Sequence, residues 1–163
     1  CALVTGGACV GDVITNDLET FFQNQLDHEA NQMAAFTIKD PSDKEVFNAH
    51  WQKILKDESV IIKTIIFKAE VTGSVLSYEN DGKAEVSYWL GKKFWGQGIA
   101  TWALNAFLKE HNKTRPVYAR VAKDNLASRR ILEKSNFVII NESTGYANAR
   151  GREIEEFLYE KKD

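Results

Sequence analysis

A glycine-rich turn near the middle of the chain constrains the fold more than any other sequence feature. The segment Lys83–Leu90 before the turn predicts a strand, and from Gly98 apolar residues recur at helical spacing to about His111. A further strand is predicted at Val117–Ala122. A strand, a helix and a strand in this order form a crossover, whose two strands are expected to be parallel or nearly so.

The turn itself is suited to hold a phosphate group. Gly96 and Gly98 lack a Cβ atom, so the backbone can bend sharply and approach a ligand closely. The first amides of the following helix have no partner within the helix, and the helix dipole adds partial positive charge there. A pyrophosphate fits such a turn, with Lys92 and Lys93 upstream to neutralise part of its charge. Two glycines alone are a weak motif, and a plain strand–helix connection stays open.

Two common nucleotide-binding motifs are excluded. The third glycine of a dinucleotide-binding fingerprint falls at Thr101, no acidic residue ends the next strand, and one crossover is too few for that fold. No Gly-Lys-Ser or Gly-Lys-Thr occurs, so the Walker A motif is absent as well.

The remaining elements indicate a mixed α/β domain. Asn16 precedes Glu19 by three residues, the spacing of a capping box, and predicts the start of a first helix. Asp40 before Pro41 predicts the cap of a second helix that ends near residue 56, and a short helix is predicted at Asn125–Lys134. The other predicted strands are Val10–Ile14, Ser59–Lys68, Val71–Glu79, Phe137–Ile140 and Ile154–Tyr159.

Composition narrows the class of protein. The 163 residues, with 44% hydrophobic and 27% charged residues, suit one domain of an ordinary globular protein. A net charge of −2 gives no reason to expect a nucleic acid or a membrane surface as partner. No apolar run approaches the roughly 20 residues of a membrane helix. Cytoplasmic localisation is expected because no export signal is visible.

The beginning of the chain is interpreted separately. Residues 1–9 are expected to be a disordered or expression-derived start, and residues 10–163 a single domain. Cys1 and Cys9 are too few for a disulfide framework, and no residues with metal-ligand spacing accompany them, so we expect no metal site.

Two motifs in this order resemble those of the GNAT superfamily of N-acetyltransferases. The phosphate-loop pattern of that family falls on Trp95-Gly96-Gln97-Gly98-Ile99-Ala100, with Trp95 in place of the usual Gln or Arg. This form looks like the branch that contains ribosomal-protein N-terminal acetyltransferases. The second motif, Asn125-Leu-Ala-Ser-Arg-Arg-Ile-Leu-Glu-Lys-Ser-Asn-Phe137, resembles Asn-x-x-Ser-x-x-x-Leu-Glu-Lys-x-Gly-Phe. Asn136 replaces the glycine of that pattern. Among residues other than glycine, asparagine tolerates a positive φ best.

The resemblance implies a fold, an activity and a coenzyme. The fold is a mixed, twisted central sheet of about seven strands flanked by about four helices. The activity is transfer of an acetyl group from acetyl-CoA to an amine of a small molecule or of a peptide or protein N-terminus, by direct attack in a ternary complex. The residues implied to bind coenzyme A are Trp89, Leu90, Gly91, Trp95, Gly96, Gln97, Gly98, Ile99, Ala100, Thr101, Asn125, Ser128 and Arg129, with Arg130 as the alternative to Arg129.

Several of these assignments have a plainer alternative. Asn125 is also a good N-cap, and the two arginines of the second motif also suit a solvated helix face. A second function class stays open too: a non-catalytic module that binds acyl-CoA as a sensor. Either a monomer or a homodimer is compatible with the sequence.

Catalytic candidates follow from the need for a neutral amine. Glu85 is the candidate base, because some members of the family carry a catalytic glutamate at this position of the strand. A surface glutamate paired with a cross-strand lysine is the alternative. Leu132 occupies the position of the tyrosine that often protonates the leaving thiolate in the family. Tyr88, Tyr118 and Tyr146 are possible substitutes, and Tyr146 is expected to lie over the acceptor site.

The acceptor cleft is expected between the two N-terminal helices and the last strand pair. Met33, Phe36, Tyr146 and Arg150 are its expected wall residues, in the segments 33–36 and 145–151. Ordinary connections between elements are the alternative for both segments.

Overall fold

The computed structural model, which describes residues 7–163, contains seven strands and five helices within that range. The strands are β1 (Ala8–Asp12), β2 (Ile61–Phe67), β3 (Glu70–Asn80), β4 (Lys83–Leu90), β5 (Val117–Ala122), β6 (Val138–Ala147) and β7 (Arg152–Lys161). The helices are α1 (Asp17–Gln25), α2 (His28–Ala34), α3 (Lys44–Lys56), α4 (Ile99–Glu110) and α5 (Leu126–Lys134). The expected mixed α/β architecture is confirmed, with one more helix than predicted.

All strands lie in one sheet of order β1-β2-β3-β4-β5-β7-β6. Every neighbouring pair is antiparallel except β4 and β5, which are the parallel strands predicted from the crossover. Their ladder is short: only Ala84 pairs with Val117 and Glu85 with Tyr118. Beyond Glu85 the two strands have no ladder between them, which leaves an opening in the middle of the sheet.

Helices cover the sheet on both faces. On one face, α4 buries Ala103, Leu104 and Phe107 completely in the main core, against residues such as Val75 and Val117. On the other face, rings from α1 and α3 form a second cluster with Ile62 and Val71; they are Phe21, Phe22, Phe47 and Trp51. A third, small cluster joins Ala35, Ala122, Ala147 and Ile154. The opening between β4 and β5 lies between these three clusters.

Helix α1 begins directly after Asn16, as predicted, but the predicted side-chain cap is absent there, and the cap predicted for the second helix is wrong. Asn16 has helical φ and ψ and makes no side-chain cap bond. Instead Asp17, which is buried, accepts hydrogen bonds from the Ile14 amide at 2.9 Å and the Thr64 hydroxyl at 2.7 Å. The carboxylate that caps α3 is Asp43 rather than Asp40. The carboxylate that accepts from a helical amide of α3 therefore lies three residues after the predicted one.

Three further boundaries differ from expectation. Helix α2 was not predicted, because it is only seven residues long and mostly polar; Asp27 caps it by accepting from the Ala30 amide. Strand β6 continues to Ala147, well past the predicted end at Ile140. Strand β1 begins at Ala8, so the predicted domain start at Val10 is two residues late. The rest of the expected disordered start, residues 1–6, lies outside the described residues.

The backbone conformation confirms the prediction for Asn136. Asn136 has a φ of 67°, the left-handed conformation expected at the end of α5. Asp81 and Gly82 form the tight turn between β3 and β4, both with positive φ. No helix within residues 7–163 combines the length and hydropathy needed to cross a membrane.

Gly73 in β3 lies very close to the backbone of β4 at the carboxyl end of that strand. An added Cβ would lie 1.9 Å from the Trp89 carbonyl oxygen and 2.9 Å from the Leu90 Cα. We expect Gly73→Ala to lower the free energy of unfolding by about 3 kcal/mol, because the methyl group has to push the two backbones apart. Urea denaturation measures this change.

The matched control is Gly82→Asn. Gly82 has a φ of 75° and no heavy atom within 4 Å of an added Cβ, and asparagine tolerates that conformation. Its midpoint should stay near that of the unchanged protein. Equal midpoints for both variants would show that β3 and β4 can separate at little cost.

Candidate active site

Two cavities meet at the opening between β4 and β5. The first, here the loop cavity, has a volume of about 350 Å³ and lies under the glycine turn, α2 and α5. The second, here the aromatic cavity, has a volume of about 450 Å³ and lies between the sheet, α1, α3 and the segment after α2. The residues that line both, here the junction, are Ala34, Tyr88, Trp89, Asn125 and Ser128. Molecules in the two cavities would therefore contact the same five residues.

The glycine turn leaves room for a ligand at the start of α4. Gly96 and Gly98 have φ angles of 76° and 78°, and a Cβ added to either would meet no heavy atom within 4 Å. Gly98 is the N-cap of α4 and has no side chain to satisfy the first helical amides. Those amides and the helix dipole favour an anionic group in this space.

The positive charge near the turn comes from α5. Arg130 and Lys134 line the loop cavity. Lys92, which was expected to help, is paired with Glu29 of α2, and the hydrogen bond and charge of Glu29 raise its pKa. Lys93 is paired with Glu70. Neighbouring carboxylates therefore neutralise the charge of both lysines.

Arg129, the predicted arginine, points elsewhere. Its Nε donates to the Tyr159 hydroxyl at 3.1 Å and its Nη1 to the Lys123 carbonyl at 2.9 Å. The guanidinium lies over the ring of Phe157. Arg129 does not line the loop cavity, whereas Arg130, the alternative named from the sequence, does.

Two other predicted coenzyme residues also fall outside both cavities. The Gly91 amide donates to the Thr72 carbonyl at 2.8 Å, so it is not free for a ligand. The Gln97 side chain is exposed and donates to the Lys93 carbonyl. The predicted residues that do line the loop cavity are Trp89, Leu90, Trp95, Gly96, Gly98, Ile99, Ala100, Thr101, Asn125 and Ser128.

A hydroxyl pair occupies the junction. The Tyr88 and Ser128 hydroxyl oxygens are 2.7 Å apart, and either can be the donor. Burial raises the pKa of Tyr88 to about 12, so the phenol is neutral at physiological pH. The Asn125 side chain accepts from the Ser128 amide at 3.2 Å. The N-cap interpretation of Asn125 is thus confirmed, and this cap fixes Ser128 at the junction.

The aromatic cavity is named for its walls. Its rings, besides Tyr88, are Phe21, Phe36, Phe47, Trp51, Tyr78 and Trp89. Arg120 and Ser87 lie across the opening from one another, on β5 and β4. Deeper in the opening, the lining is apolar and comes from Val86, Ala119, Val121 and Leu132.

Glu85 lies at the closed end of the opening and is only 2% exposed. Its Oε2 accepts from Asn80 Nδ2 at 2.8 Å, and its Oε1 accepts from Arg120 Nε at 3.2 Å. Arg120 also reaches Glu156 at 3.5 Å. The alternative of a surface glutamate paired with a lysine is therefore wrong. Burial, and secondarily the charge of Glu85, raises the pKa of neighbouring Tyr78.

Of the four expected acceptor residues, only Phe36 lines the aromatic cavity. Met33 lines the loop cavity instead. Tyr146 is 61% exposed on the edge strand β6 and lines neither cavity. Arg150 forms a two-pronged ion pair with Asp124, at 2.7 and 2.9 Å, which lowers the pKa of that carboxyl.

The position of Tyr88 was open from the sequence, and strand alternation contained the signal. Glu85, Ser87 and Trp89 share one face of β4, so Tyr88 faces the other way, toward α5. Arg120 and Glu156 were missed because nothing local marks two strand residues as partners of Glu85. Within residues 7–163, no group of three His, Cys, Asp or Glu side chains is placed to hold a metal ion.

The buried phenol of Tyr88 gives a pH-dependent signature. Its folded pKa of about 12 lies above the ordinary 10.0, so the unfolded chain loses this proton first as pH rises. Tyr88 thus contributes stability that is present below pH 10.0 and is lost between that value and about 12. The difference in tyrosinate absorbance between the unchanged protein and Tyr88→Phe should appear only near the upper value. In denaturant, the same absorbance difference should appear near pH 10.0. If the folded and the denatured protein gave this difference at the same pH, the buried position of Tyr88 would be contradicted.

Comparison with known proteins supports the fold and identifies the family. The family model described as the acetyltransferase (GNAT) domain matches residues 12–138. Among curated proteins, none matches the chain significantly. The ribosomal-protein alpha-N-acetyltransferase RimL, solved with coenzyme A, has a TM-score of 0.82 and 18% identity over 98% of this chain and 96% of that chain.

Two further solved structures share the fold. A ribosomal-protein alanine acetyltransferase from Vibrio fischeri has a TM-score of 0.74 and 17% identity, over 96% of this chain and 93% of that chain. The microcin self-immunity acetyltransferase MccE, solved with acetyl-CoA and AMP, has a TM-score of 0.76 and 20% identity, over 99% of both chains. From the match of the family model to most of its length, the chain belongs to the GNAT acetyltransferase family.

Proposed function

We propose that this protein transfers an acetyl group from acetyl-CoA to an amine, with coenzyme A in the loop cavity and the acceptor in the aromatic cavity. The observation that carries the proposal is that the two cavities meet at Tyr88 and Ser128. A transfer between two bound molecules needs such a meeting point. The acetyl-CoA and coenzyme A in the solved structures of similar proteins support the choice of donor.

The residues present fit coenzyme A. The open space at Gly96 and Gly98 and the first amides of α4 suit its pyrophosphate, with Arg130 on α5 for a further phosphate. Beyond Glu85, the edge of β4 that faces the opening has no ladder partner. An extended arm that carries amide groups, such as pantetheine, can pair with this edge as an added strand.

Acetyl-CoA supplies a thioester whose carbonyl carbon the amine attacks directly. No residue of the chain has to carry the acyl group. The amine has to be neutral, although its ordinary pKa is about 8 for an α-amine and about 10.4 for a lysine. Glu85 is the proposed proton acceptor, and it works through water, because Asn80 and Arg120 occupy its oxygens. Glu156 lines the cavity itself and is the second candidate.

The hydroxyl pair at the junction is proposed to serve the leaving sulfur. A phenol with a pKa of about 12 does not give up its proton to a thiolate, whose conjugate thiol has a pKa of about 8.5. The pair of Tyr88 and Ser128 therefore donates a hydrogen bond to the sulfur, and the proton comes from solvent. Tyr88 replaces Tyr146 in this role, because Tyr146 lines neither cavity.

A non-catalytic acyl-CoA sensor is the second candidate. The surroundings of Glu85 favour this function. Both of its carboxylate oxygens already accept hydrogen bonds from neighbouring side chains, so neither is free to take a proton directly. Thiol release from acetyl-CoA, followed with and without amines, separates the two functions. Tight coenzyme binding without amine-dependent release across a broad panel would establish the sensor.

Gly98→Ala tests the coenzyme site. The added methyl group has to stand in the space proposed for the pyrophosphate, so we expect the dissociation constant for coenzyme A to rise at least about tenfold. Gly151→Ala is the matched control, because Gly151 also has positive φ and open space but lies in the β6–β7 turn. Calorimetric titration measures both. Equal affinities for the two variants would place the coenzyme elsewhere.

Glu85→Gln tests the proposed base. We expect turnover to fall by about a hundredfold, with the coenzyme dissociation constant unchanged, because a neutral amide cannot accept the proton. Glu142→Gln is the control. Glu142 is an exposed residue of β6 that pairs with Lys123. The pH profile of turnover is measured for these two variants and for Glu156→Gln. Unchanged turnover of Glu85→Gln at every pH would remove Glu85 as base, and a fall only in Glu156→Gln would transfer the role.

A further inference from the structure

We infer that the acceptor is a monoamine whose single ammonium is joined to an apolar body of aromatic size. The inference rests on the proposed function and specifies which amine the aromatic cavity takes. Its source can be a free arylalkylamine or the amino terminus of a peptide with a large apolar first side chain.

Packed aromatic rings form a large part of the wall of the aromatic cavity. Phe21, Phe47 and Trp51 border it from α1 and α3, and their rings pack on one another, with centroids 5.0 Å apart for Phe21–Trp51 and 5.9 Å apart for Phe47–Trp51. Phe36 closes the opposite side. The volume of about 450 Å³ is that of a small-molecule pocket. An apolar group is stabilised there by the surface that it removes from water.

The amide nitrogens of three lining residues already donate to backbone carbonyls. Asn24 donates to the Thr72 carbonyl, Gln25 to the Pro41 carbonyl, and Asn31 to the carbonyls of residues 25 and 27. A group that needs an N–H donor, such as a sugar oxygen, would lose its water without gaining these three partners. These amides therefore do not help to bind a sugar.

The charges near the cavity match one ammonium. The formally charged residues in its lining are Arg120 and Glu156, and Glu85 lies behind Arg120. Two carboxylates and one guanidinium leave a single net negative charge. Burial, with Lys53 as a secondary cause, lowers the pKa of His50, so that lining residue adds no positive charge at neutral pH.

This balance ranks the classes of amine. A monoamine brings one positive charge, which the net negative charge and the aromatic faces both stabilise. A diamine or polyamine would leave a second ammonium among the rings without a carboxylate. A free amino acid would bring a carboxylate toward Glu156, and Arg120 is already shared between two carboxylates. We therefore expect arylalkylamines to exceed both classes.

The experiment measures kcat/KM on the full chain by thiol release from acetyl-CoA. We expect 2-phenylethylamine to exceed putrescine, spermidine and phenylalanine at least about tenfold. A second set of substrates consists of peptides that begin with phenylalanine and, as the comparison, with glycine. Whichever of 2-phenylethylamine and the phenylalanine peptide has the higher kcat/KM identifies the source of the amine. Higher kcat/KM for putrescine or spermidine overturns the inference and leaves the proposed function intact. No release with any amine, together with no coenzyme binding, overturns the proposed function.

Variants locate the effect in the cavity. Phe36→Ser removes one wall and should raise KM for 2-phenylethylamine about tenfold without changing KM for acetyl-CoA. Leu55→Ser, on the exposed side of α3 and outside the lining, is the control and should change neither. Leu76→Asp adds a carboxylate to the lining and should shift the preference toward putrescine about tenfold. Equal amine KM values for Phe36→Ser and Leu55→Ser overturn the inference, whether or not Leu76→Asp folds.

Discussion

The short parallel ladder between β4 and β5 is the constraint on which the rest of the site depends. Each of these strands is paired along its whole length on its other edge, β4 with β3 and β5 with β7. They can therefore separate beyond Glu85 at the cost of one ladder only. Backbone groups left on that edge need a partner, and we propose that an extended amide-bearing molecule supplies it. The opening is thus a gap in the fold and the proposed binding edge.

Side chains hold the opening in shape from both faces of the sheet. Arg120 spans from β5 to Glu85 on β4 where the ladder stops, and a buried carboxylate in this position needs such a partner. On the other face, Tyr88 binds Ser128 of α5, which the Asn125 cap positions. The same contacts bring charge and hydroxyl groups to the place where the two cavities meet. Stability and proposed chemistry therefore draw on the same residues.

Local patterns were enough to predict the crossover, the seven strands and the left-handed Asn136. They failed where a choice depended on distant contacts. Arg129 and Arg130 are neighbours on one helix, about 100° apart, and only packing against β7 decides which one reaches the loop cavity. Tyr146 was favoured over Tyr88 because the length of β6 was underestimated, and the added strand places Tyr146 on an exposed edge. Partners such as Arg120 for Glu85 arise only when the sheet forms.

A crystal structure of the protein with acetyl-CoA tests the central claim most directly. The account predicts that the pyrophosphate accepts hydrogen bonds from the first amides of α4, and that the pantetheine arm lies along β4 beside Trp89 and Leu90 with its sulfur near Tyr88 and Ser128. Density for the coenzyme on another surface, with the opening between β4 and β5 empty, would contradict it.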